Sequence, residues 1–195
     1  MHAPLLPVEP RHTYRLLNHG PTVLVGSAHA GRVNVMAAAW AMPLDFDTPK
    51  VAVVIDKNTL TAELVQASGY VSLHVPPVAM ADAVLALGTL SGKDHPDKLQ
   101  RCGVEVTLDD ETSLPLVVGC VGQMVCRVLP ATAHVAGPHD LCLAEVMRAW
   151  ADPRVFRDGR WHFDEADDSL RSLHYMAGGQ FYATGASIVA RPPET

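Results

Sequence analysis

The sequence has few charged residues. Asp, Glu, Lys and Arg make up 18% of the 195 residues, against roughly a quarter in an average domain. Such a chain has little polar cover, so we expect it to bury part of its surface against a second copy and to form a homodimer. The 15 basic and 21 acidic residues give a net charge of −6, which argues against the broad basic surface that duplex nucleic acid requires.

Cysteine is also scarce, and long apolar runs are absent. The four cysteines, Cys102, Cys120, Cys126 and Cys142, form no C-x-x-C pair, so neither a zinc knuckle nor a thioredoxin-like redox motif is supported. We interpret them as free buried thiols in a reducing compartment. No apolar run reaches the ~18 residues of a membrane span, and prolines interrupt the N-terminus where a signal peptide needs a continuous apolar stretch. We therefore predict a cytoplasmic protein without membrane association.

The common catalytic and phosphate-binding signatures are missing. The chain contains no G-x-G-x-x-G, no G-x-x-x-x-G-K-[ST], no H-E-x-x-H and no G-x-S-x-G. Ten histidines are many for this length, and His134 with His139, or His95 near Asp94 and Asp97, could be considered as metal ligands. No pair has the spacing of ligands on a helix, so we interpret these histidines as loop or core residues and predict no metal site.

Short apolar segments separated by Gly and Pro turns indicate a single domain over 1–195 that is mainly β with helical additions, either a barrel or a sandwich. Residues 1–20 carry several prolines and are expected to lie over the surface as a leader, and residues 191–195 form a tail. The predicted strands are 22–27, 33–40, 51–55, 70–75, 117–129 and 141–149, and the predicted helices are 58–68 and 79–87. Residues 29–32 and 158–159 are predicted to be hairpin turns.

The segment 56–61 delivers a cation and two hydroxyls to the start of the first predicted helix. Lys57, Asn58, Thr59 and Thr61 follow Asp56 in this segment. Free peptide N–H groups at a helix N-terminus, together with hydroxyl donors and an ammonium, can bind the oxygens of one phosphate. An ordinary helix N-cap is the alternative interpretation of the same residues.

Three consecutive alanines, Ala37, Ala38 and Ala39, leave the second predicted strand open to close approach by a flat ring. Main-chain groups of such a strand can bond the edge of a planar heterocycle, while Met36 or Trp40 packs near it. Tight strand packing in a barrel is the alternative. The pair Gly178–Gly179 could cradle a ligand, although by itself it indicates only a turn.

These features occur in a fixed order along the chain. The motifs are N-V-M-A-A-A-W, F-D-T-P-K-V-A-V-V-I, D-K-N-T-L-T-A-E-L-V, G-Y-V-S-L-H-V-P, L-S-G-K-D-H-P-D-K-L and S-L-H-Y-M-A-G-G-Q-F-Y-A-T-G. Over residues 21–182 this order resembles the flavin reductase-like, flavoredoxin-type family of FMN-binding split-barrel proteins.

The resemblance implies a Greek-key split β-barrel, assembled as a homodimer, with FMN (or FAD) in a groove near the interface. It also implies reduction by NADH or NADPH as a transient co-substrate, with a monooxygenase or another electron acceptor as partner. A non-catalytic FMN-binding electron carrier, or a reductase of ferric or other acceptors, is the alternative. Hydride transfer to a flavin requires no catalytic protein acid or base.

The residues implied at the site fall into three groups. Those bordering the isoalloxazine ring are Asn34, Met36, Ala37, Ala38, Ala39 and Trp40; those holding the phosphate are Asp56, Lys57, Asn58, Thr59 and Thr61; those closing the site are Ser91, Lys93 and His174. Two positions depart from the pattern of the family. His74 stands where Asn is common, and Ala38 stands where a hydroxyl residue often approaches the ring.

Overall fold

A computed structural model describes residues 4–129 and 137–191, so His134 lies outside the described residues. The strands are β1 (Leu6–Pro7), β2 (Val23–His29), β3 (Arg32–Ala38), β4 (Ala41–Phe46), β5 (Pro49–Val54), β6 (Tyr70–Val75), β7 (Val106–Leu108), β8 (Pro115–Val117), β9 (Gly122–Val128), β10 (Leu141–Ala151), β11 (Phe156–Arg157), β12 (Arg160–Trp161), β13 (Leu173–Ala177) and β14 (Gln180–Ala183). The α-helices are α1 (Leu60–Ser68), α2 (Ala81–Thr89) and α3 (Lys98–Arg101).

The main sheet curls into a barrel. Its strands follow the order β3-β2-β6-β9-β10-β5-β4, all antiparallel, with β1 added to β10. The two end strands, β3 and β4, are consecutive in the chain and are joined by Ala39 and Trp40 alone. A sheet whose opposite edges are two residues apart must close on itself. The predicted fold class, mainly β with helical additions, is confirmed.

Local turn signals account for the hairpins. Ala30 and Gly31 both have positive φ, +50° and +78°, which is the two-residue turn that matches the twist of paired strands. Asp158 and Gly159 repeat this geometry between β11 and β12, at +52° and +68°. Both predicted hairpin turns are confirmed. The predicted strand 117–129 is in fact β8 and β9, which are separate because the chain turns at Gly119, where φ is +92°.

The prediction that residues 1–20 only cover the surface is wrong for their second half. Pro10 starts a 3₁₀ helix, Pro10–Leu16, since a proline suits a first helical position. This helix turns Leu16 and the following Leu17 into the barrel core, where both are fully buried. The prolines near the N-terminus therefore mark a helix start as well as irregular chain.

The helices lie against the barrel and fix its open end. Thr59 is the N-cap of α1, because its Oγ1 accepts a hydrogen bond from the Ala62 N–H at 3.1 Å. Gly69 ends α1 with a φ of +76°. Leu64 and Val65 of α1 are buried, as are Val84 and Leu87 of α2. The predicted positions of these two helices are confirmed. No helix in the described part of the chain is long and apolar enough to cross a membrane.

Candidate functional site

A cavity of about 450 Å³ lies where the end of β3 meets α2, the residues before α1 and the β13–β14 hairpin. The wall of this cavity contains six of the residues that the family resemblance implies at the site. The lining residues are Thr22, Met36, Ala37, Ala38, Ala39, Trp40, Val54, Asp56, Val84, Leu85, Gly88, Thr89, Tyr175, Met176 and Phe181.

The alanine wall of the cavity comes from the end of β3. A Cβ added at Gly88 of α2 would lie 3.4 Å from the Ala37 Cβ, so helix and strand are in close contact there. Ala38 pairs with Val23 as the last residue of the β2–β3 ladder. Because β3 is an end strand of the sheet, its second edge has no strand partner among the described residues. Small side chains and unpaired main-chain groups suit the edge of a flat heterocycle.

Asp56 connects this cavity to the start of α1. Its Oδ1 accepts hydrogen bonds from the Asn58 N–H at 2.8 Å and from Asn58 Nδ2 at 3.0 Å, and its main-chain carbonyl accepts from Thr59 Oγ1 at 2.7 Å. The side chain of Thr59 is therefore used as an N-cap. The peptide N–H groups of Leu60 and Thr61 have no acceptor among the described residues, as expected of a first helical turn.

Two residues implied as ligand contacts bond to each other instead. Asn34 Nδ2 donates to Thr61 Oγ1 at 2.8 Å, and both side chains are buried. Thr61 lies on the buried face of α1, and Asn34 lies on β3 beneath it. The polar atoms of these two side chains join the helix to the sheet, and their contact with the ring and the phosphate stays a prediction.

The loop after α2 packs against the same helix start. A Cβ at Gly92 would lie 2.4 Å from Asn34 Oδ1 and 3.0 Å from Leu60 Cδ2, so only glycine fits. This contact brings the neighbouring residues Ser91 and Lys93 close to the first turn of α1. Ser91 Oγ accepts a hydrogen bond from the Lys93 N–H at 3.2 Å. The Lys93 side chain is exposed and has no acidic partner in the described ranges.

Sequence reasoning missed Lys98, which begins α3. Lys98 is 4% exposed as a residue. Its ammonium makes no ion pair or hydrogen bond among residues 4–129 and 137–191, but its Nζ is not one of the fully buried polar atoms and so keeps some contact with solvent. Burial lowers the pKa of Lys98, and the neighbouring Cys102 opposes that shift only in part. Removing an ammonium group from water costs free energy unless an anion pairs with it. The available signal was the last lysine of L-S-G-K-D-H-P-D-K-L, where Lys93 was selected instead.

His174, implied as part of the site, faces away from the cavity. Its Nδ1 lies 3.1 Å from the Gly20 carbonyl oxygen, and its Nε2 lies 3.2 Å from Thr184 Oγ1. Its ring also meets the edge of His19 at 5.8 Å. Burial, followed by the charge of His174, lowers the pKa of His19 to about 4. His174 is not part of the cavity wall, whereas the next two residues, Tyr175 and Met176, are, so a contact of His174 with the ligand stays a prediction.

The β13–β14 hairpin covers the cavity, and this role was also missed. Gly178 and Gly179 form its turn with positive φ, which confirms the interpretation of that pair as a turn. The Tyr175 N–H donates to Thr22 Oγ1 at 2.8 Å and ties the hairpin to the barrel. The rings of Tyr175 and Phe181 lie 5.2 Å apart. The signal was the apolar alternation on both sides of the glycine pair.

The cysteines and the other titratable groups add no reactive centre here. All four cysteines are free, as predicted, and burial raises the pKa of Cys120 and Cys126, and that of Cys142 to about 11. Such thiols stay protonated at neutral pH. Within the described residues, no three His, Cys, Asp or Glu side chains are grouped as metal ligands.

Comparison with known proteins identifies the family. The model of the flavin reductase like domain matches residues 15–178. The uncharacterized protein YddH of Escherichia coli (strain K12) is 44% identical over 188 residues, which are 95% of this chain and 97% of YddH. An FMN-binding domain of a flavin reductases-like enzyme from Shewanella baltica OS155 is 46% identical, with a TM-score of 0.95, covering 98% of this chain and all of that one.

Two more distant structures share the fold. The flavoredoxin of Desulfovibrio vulgaris (Miyazaki F) has a TM-score of 0.74 at 22% identity, with 88% of this chain and 90% of that chain covered. A split barrel domain from Shewanella frigidimarina NCIMB 400 has a TM-score of 0.70 at 14% identity, with 96% and 94% covered. The split-barrel expectation is thereby confirmed. The chain belongs to the flavin reductase-like family.

Proposed function

We propose that this protein binds FMN and transfers hydride from NADH or NADPH to N5 of the flavin. The observation that carries the proposal is continuity: Asp56 lines the cavity beside the alanine wall and also begins the segment that leads into α1. A ring site and a phosphate site are therefore joined by one stretch of chain. The Shewanella baltica relative, 46% identical over its full length, is named as an FMN-binding domain, which supports the ligand.

The cavity residues fit the ring of FMN. Ala37, Ala38 and Ala39 leave room for a flat heterocycle and expose main-chain groups to its edge, while Met36 and Trp40 pack beside it. FMN, when bound, supplies the hydride acceptor. The walls would hold the ring in one plane, which is the contribution that such a reaction needs from the protein. No side chain is required as an acid or a base.

The residues around α1 fit the phosphate. Leu60 and Thr61 offer unpaired peptide N–H groups at the positive end of the helix dipole. Lys57 precedes this turn, and Gly92 holds Lys93 near it. In this proposal Lys98 adds a further cation, since its ammonium makes no ion pair in the described chain. In this proposal Asn58 and Thr59 position the turn, whereas Thr61 contributes only its peptide group.

A homodimer belongs to the same proposal. β4, which carries exposed apolar side chains beside the cavity, is an end strand of the sheet, and the low charged fraction leaves apolar surface to cover. A monooxygenase or another acceptor would take electrons from the reduced flavin, and four free thiols support a reducing, cytoplasmic setting. A non-catalytic electron carrier is the second candidate, and the exposed Trp40 at the cavity rim favours it as a contact for a protein acceptor.

The test is anaerobic addition of NADH or NADPH to the FMN-loaded protein while the visible flavin absorbance is followed. We expect the band to bleach with one of the two nucleotides, and we expect continued nucleotide oxidation when oxygen and free FMN are supplied. Bound flavin without bleaching by either nucleotide would favour the carrier. A protein that takes up no flavin from excess FMN would contradict both candidates.

A further inference from the structure

The outer side of β4 carries a continuous row of exposed apolar side chains. Trp40, Met42, Leu44 and Phe46 alternate along the strand and its approach, and they are between 48% and 74% exposed. We call these four residues the apolar row. Alternation normally places polar residues on the solvent side of an edge strand. An apolar row in that position is typical of a contact surface.

The C-terminal segment is a second unpartnered apolar feature. Its root is fixed, because the Thr184 N–H donates to the Ser172 carbonyl at 3.0 Å. Beyond this point residues 185–191, which we call the arm, form no helix or strand and make no main-chain hydrogen bond among the described residues. Ile188 and Val189 of the arm are 93% and 88% exposed. The arm holds its most apolar residues in solvent.

The arm and the apolar row lie on adjacent sides of one molecule. The Phe46 ring lies 6.2 Å from the ring of Tyr14 in the 3₁₀ helix. The carbonyl of the next residue in that helix accepts a hydrogen bond from Trp161 Nε1 at 2.9 Å. Three residues beyond Trp161, the Asp164 carboxylate accepts a hydrogen bond from Ser187 of the arm. Although they are linked in this way, the arm does not cover the row of its own chain, since both remain exposed.

We propose that the arm of one copy lies along β4 of a second copy, with the Ile188 side chain on the apolar row and the Val189 side chain on the opposite side of the extended arm. Two-fold symmetry makes the exchange reciprocal, so each copy gives its arm and receives the other. An extended arm of seven residues spans about 23 Å, against about 20 Å for the six residues of β4. The inference rests on the homodimer of the proposed function and assigns its contact.

The exchange also completes the flavin site. Trp40 belongs both to the apolar row and to the cavity lining. An arm seated on the row therefore covers the rim of the cavity of the other copy and reduces the access of water to it. In this arrangement the isolated chain has an open cavity, and the dimer has a closed one.

A crosslink between two different variants tests the exchange. Ile188→Cys in one tagged chain is coexpressed with Leu44→Cys in a chain that carries another tag, and the purified mixture is oxidised mildly. The native thiols do not interfere, because three are buried and Cys142 is largely so. We expect a disulfide that joins the two tags. The matched control pairs Ile188→Cys with Leu108→Cys, which is 53% exposed on β7, and should give none. No crosslink to Leu44→Cys, or equal crosslinking in the control, overturns the proposal.

Sedimentation equilibrium provides a second readout. We expect the I188D/V189D variant to raise the dimer dissociation constant at least tenfold, and Leu108→Asp to leave it unchanged. A dimer unaffected by I188D/V189D overturns the arm exchange but not the dimer. A wild-type protein that is monomeric at all concentrations overturns the arm exchange and the homodimer together. FMN titration of the same samples reports on the flavin site separately, so the two failures are distinguishable.

Discussion

Polar groups in the barrel interior are mostly hydrogen-bonded within the protein, whereas several polar groups outside it are not. In the interior, Ser72 Oγ donates to the Pro115 carbonyl at 2.8 Å, and Gln123 Nε2 donates to the Val117 carbonyl at 2.7 Å. His74 places one ring nitrogen 3.1 Å from the Leu24 carbonyl oxygen and the other 3.1 Å from the same Pro115 carbonyl oxygen. Outside the interior, the ammonium of Lys98 in α3 has no such partner within the described residues, although it keeps some contact with solvent.

This difference in pairing indicates which part of the molecule is suited to bind an external ligand. Buried polar groups in native proteins are normally hydrogen-bonded, so an interior that is paired is complete by itself. Ser27 Oγ and His19 Nδ1 are exceptions, buried without a hydrogen-bond partner in the described chain, and an uncharged group is a smaller cost than an ammonium. The unpaired peptide N–H groups at the start of α1, with Lys57 before them, have the chemistry of an anion site. We expect changes in the interior to alter stability, and changes at the rim to alter ligand affinity.

The largest effect is expected from Leu16→Ala. Leu16 is fully buried in the barrel core, so its truncation should lower the free energy of unfolding by about 3 kcal/mol. Urea denaturation measures this loss, and FMN affinity of the folded variant should stay within twofold of wild type. Leu6→Ala is the control, because Leu6 is exposed on β1. Equal destabilisation by the two variants would show that the 3₁₀ helix is not part of the core.

Ala39→Trp should block the flavin cavity without destabilising the barrel. The indole would occupy the space beside Ala37 and Ala38, so FMN affinity should fall at least hundredfold, or about 2.7 kcal/mol. The free energy of unfolding should change little, because Ala39 is exposed. Ala67→Trp on the exposed side of α1 is the matched control and should bind FMN normally. Unaltered affinity in Ala39→Trp would remove the alanine wall from the site.

Lowering the pH should destabilise the interior. Burial lowers the pKa of both His19 and His74 from 6.5 to about 4. The unfolded chain therefore binds more protons between these values, and stability is lost as pH falls through that window. From pH 7 to pH 5 each histidine should cost about 2 kcal/mol. Urea midpoints measured across this range report the slope, and His74→Asn should reduce it. An unchanged slope in His74→Asn would contradict the neutral buried ring.

Lys98→Met should lower FMN affinity without lowering the free energy of unfolding. Removal of the ammonium should weaken FMN binding at least tenfold, or about 1.4 kcal/mol. The free energy of unfolding should not fall, because Lys98 makes no ion pair in the described chain that the methionine would remove, and methionine buries a stem of similar length. Lys50→Met is the control, since Lys50 pairs with Asp45 away from the cavity lining. A loss of stability with normal FMN affinity would make Lys98 a structural residue.

Features encoded locally could be predicted from the sequence. Thr59 and Gly69 bound α1 through their own cap geometry, and the turns at 30–31 and 158–159 follow from residues that tolerate positive φ. β4 was not predicted, because Pro43 and Asp45 interrupt its pattern and its large apolar residues face outward. A partner surface would explain that orientation, but the local sequence carries no signal for such a surface.

The site was predictable in its main-chain parts and less so in its side chains. The alanine wall and the start of α1 follow from short motifs. The choice between Lys93 and Lys98, by contrast, depends on burial by α3 and its neighbours. The choice between His174 and Tyr175 depends on how the β13–β14 hairpin packs on the barrel, which brings Tyr175 and Met176 to the cavity. Thr61 carries the right chemistry for a phosphate contact, but the helix turns its hydroxyl toward Asn34. Packing decides each of these cases.

The most direct test of the joined ring and phosphate sites is a pair of titrations on the wild-type protein, one with FMN and one with riboflavin, followed by flavin fluorescence. The two ligands share the ring and differ in the phosphate. We predict that FMN binds at least tenfold more tightly than riboflavin, and that 1 M salt narrows the gap because the phosphate is held by cations. Equal affinity for the two flavins, or binding of neither, would contradict the account.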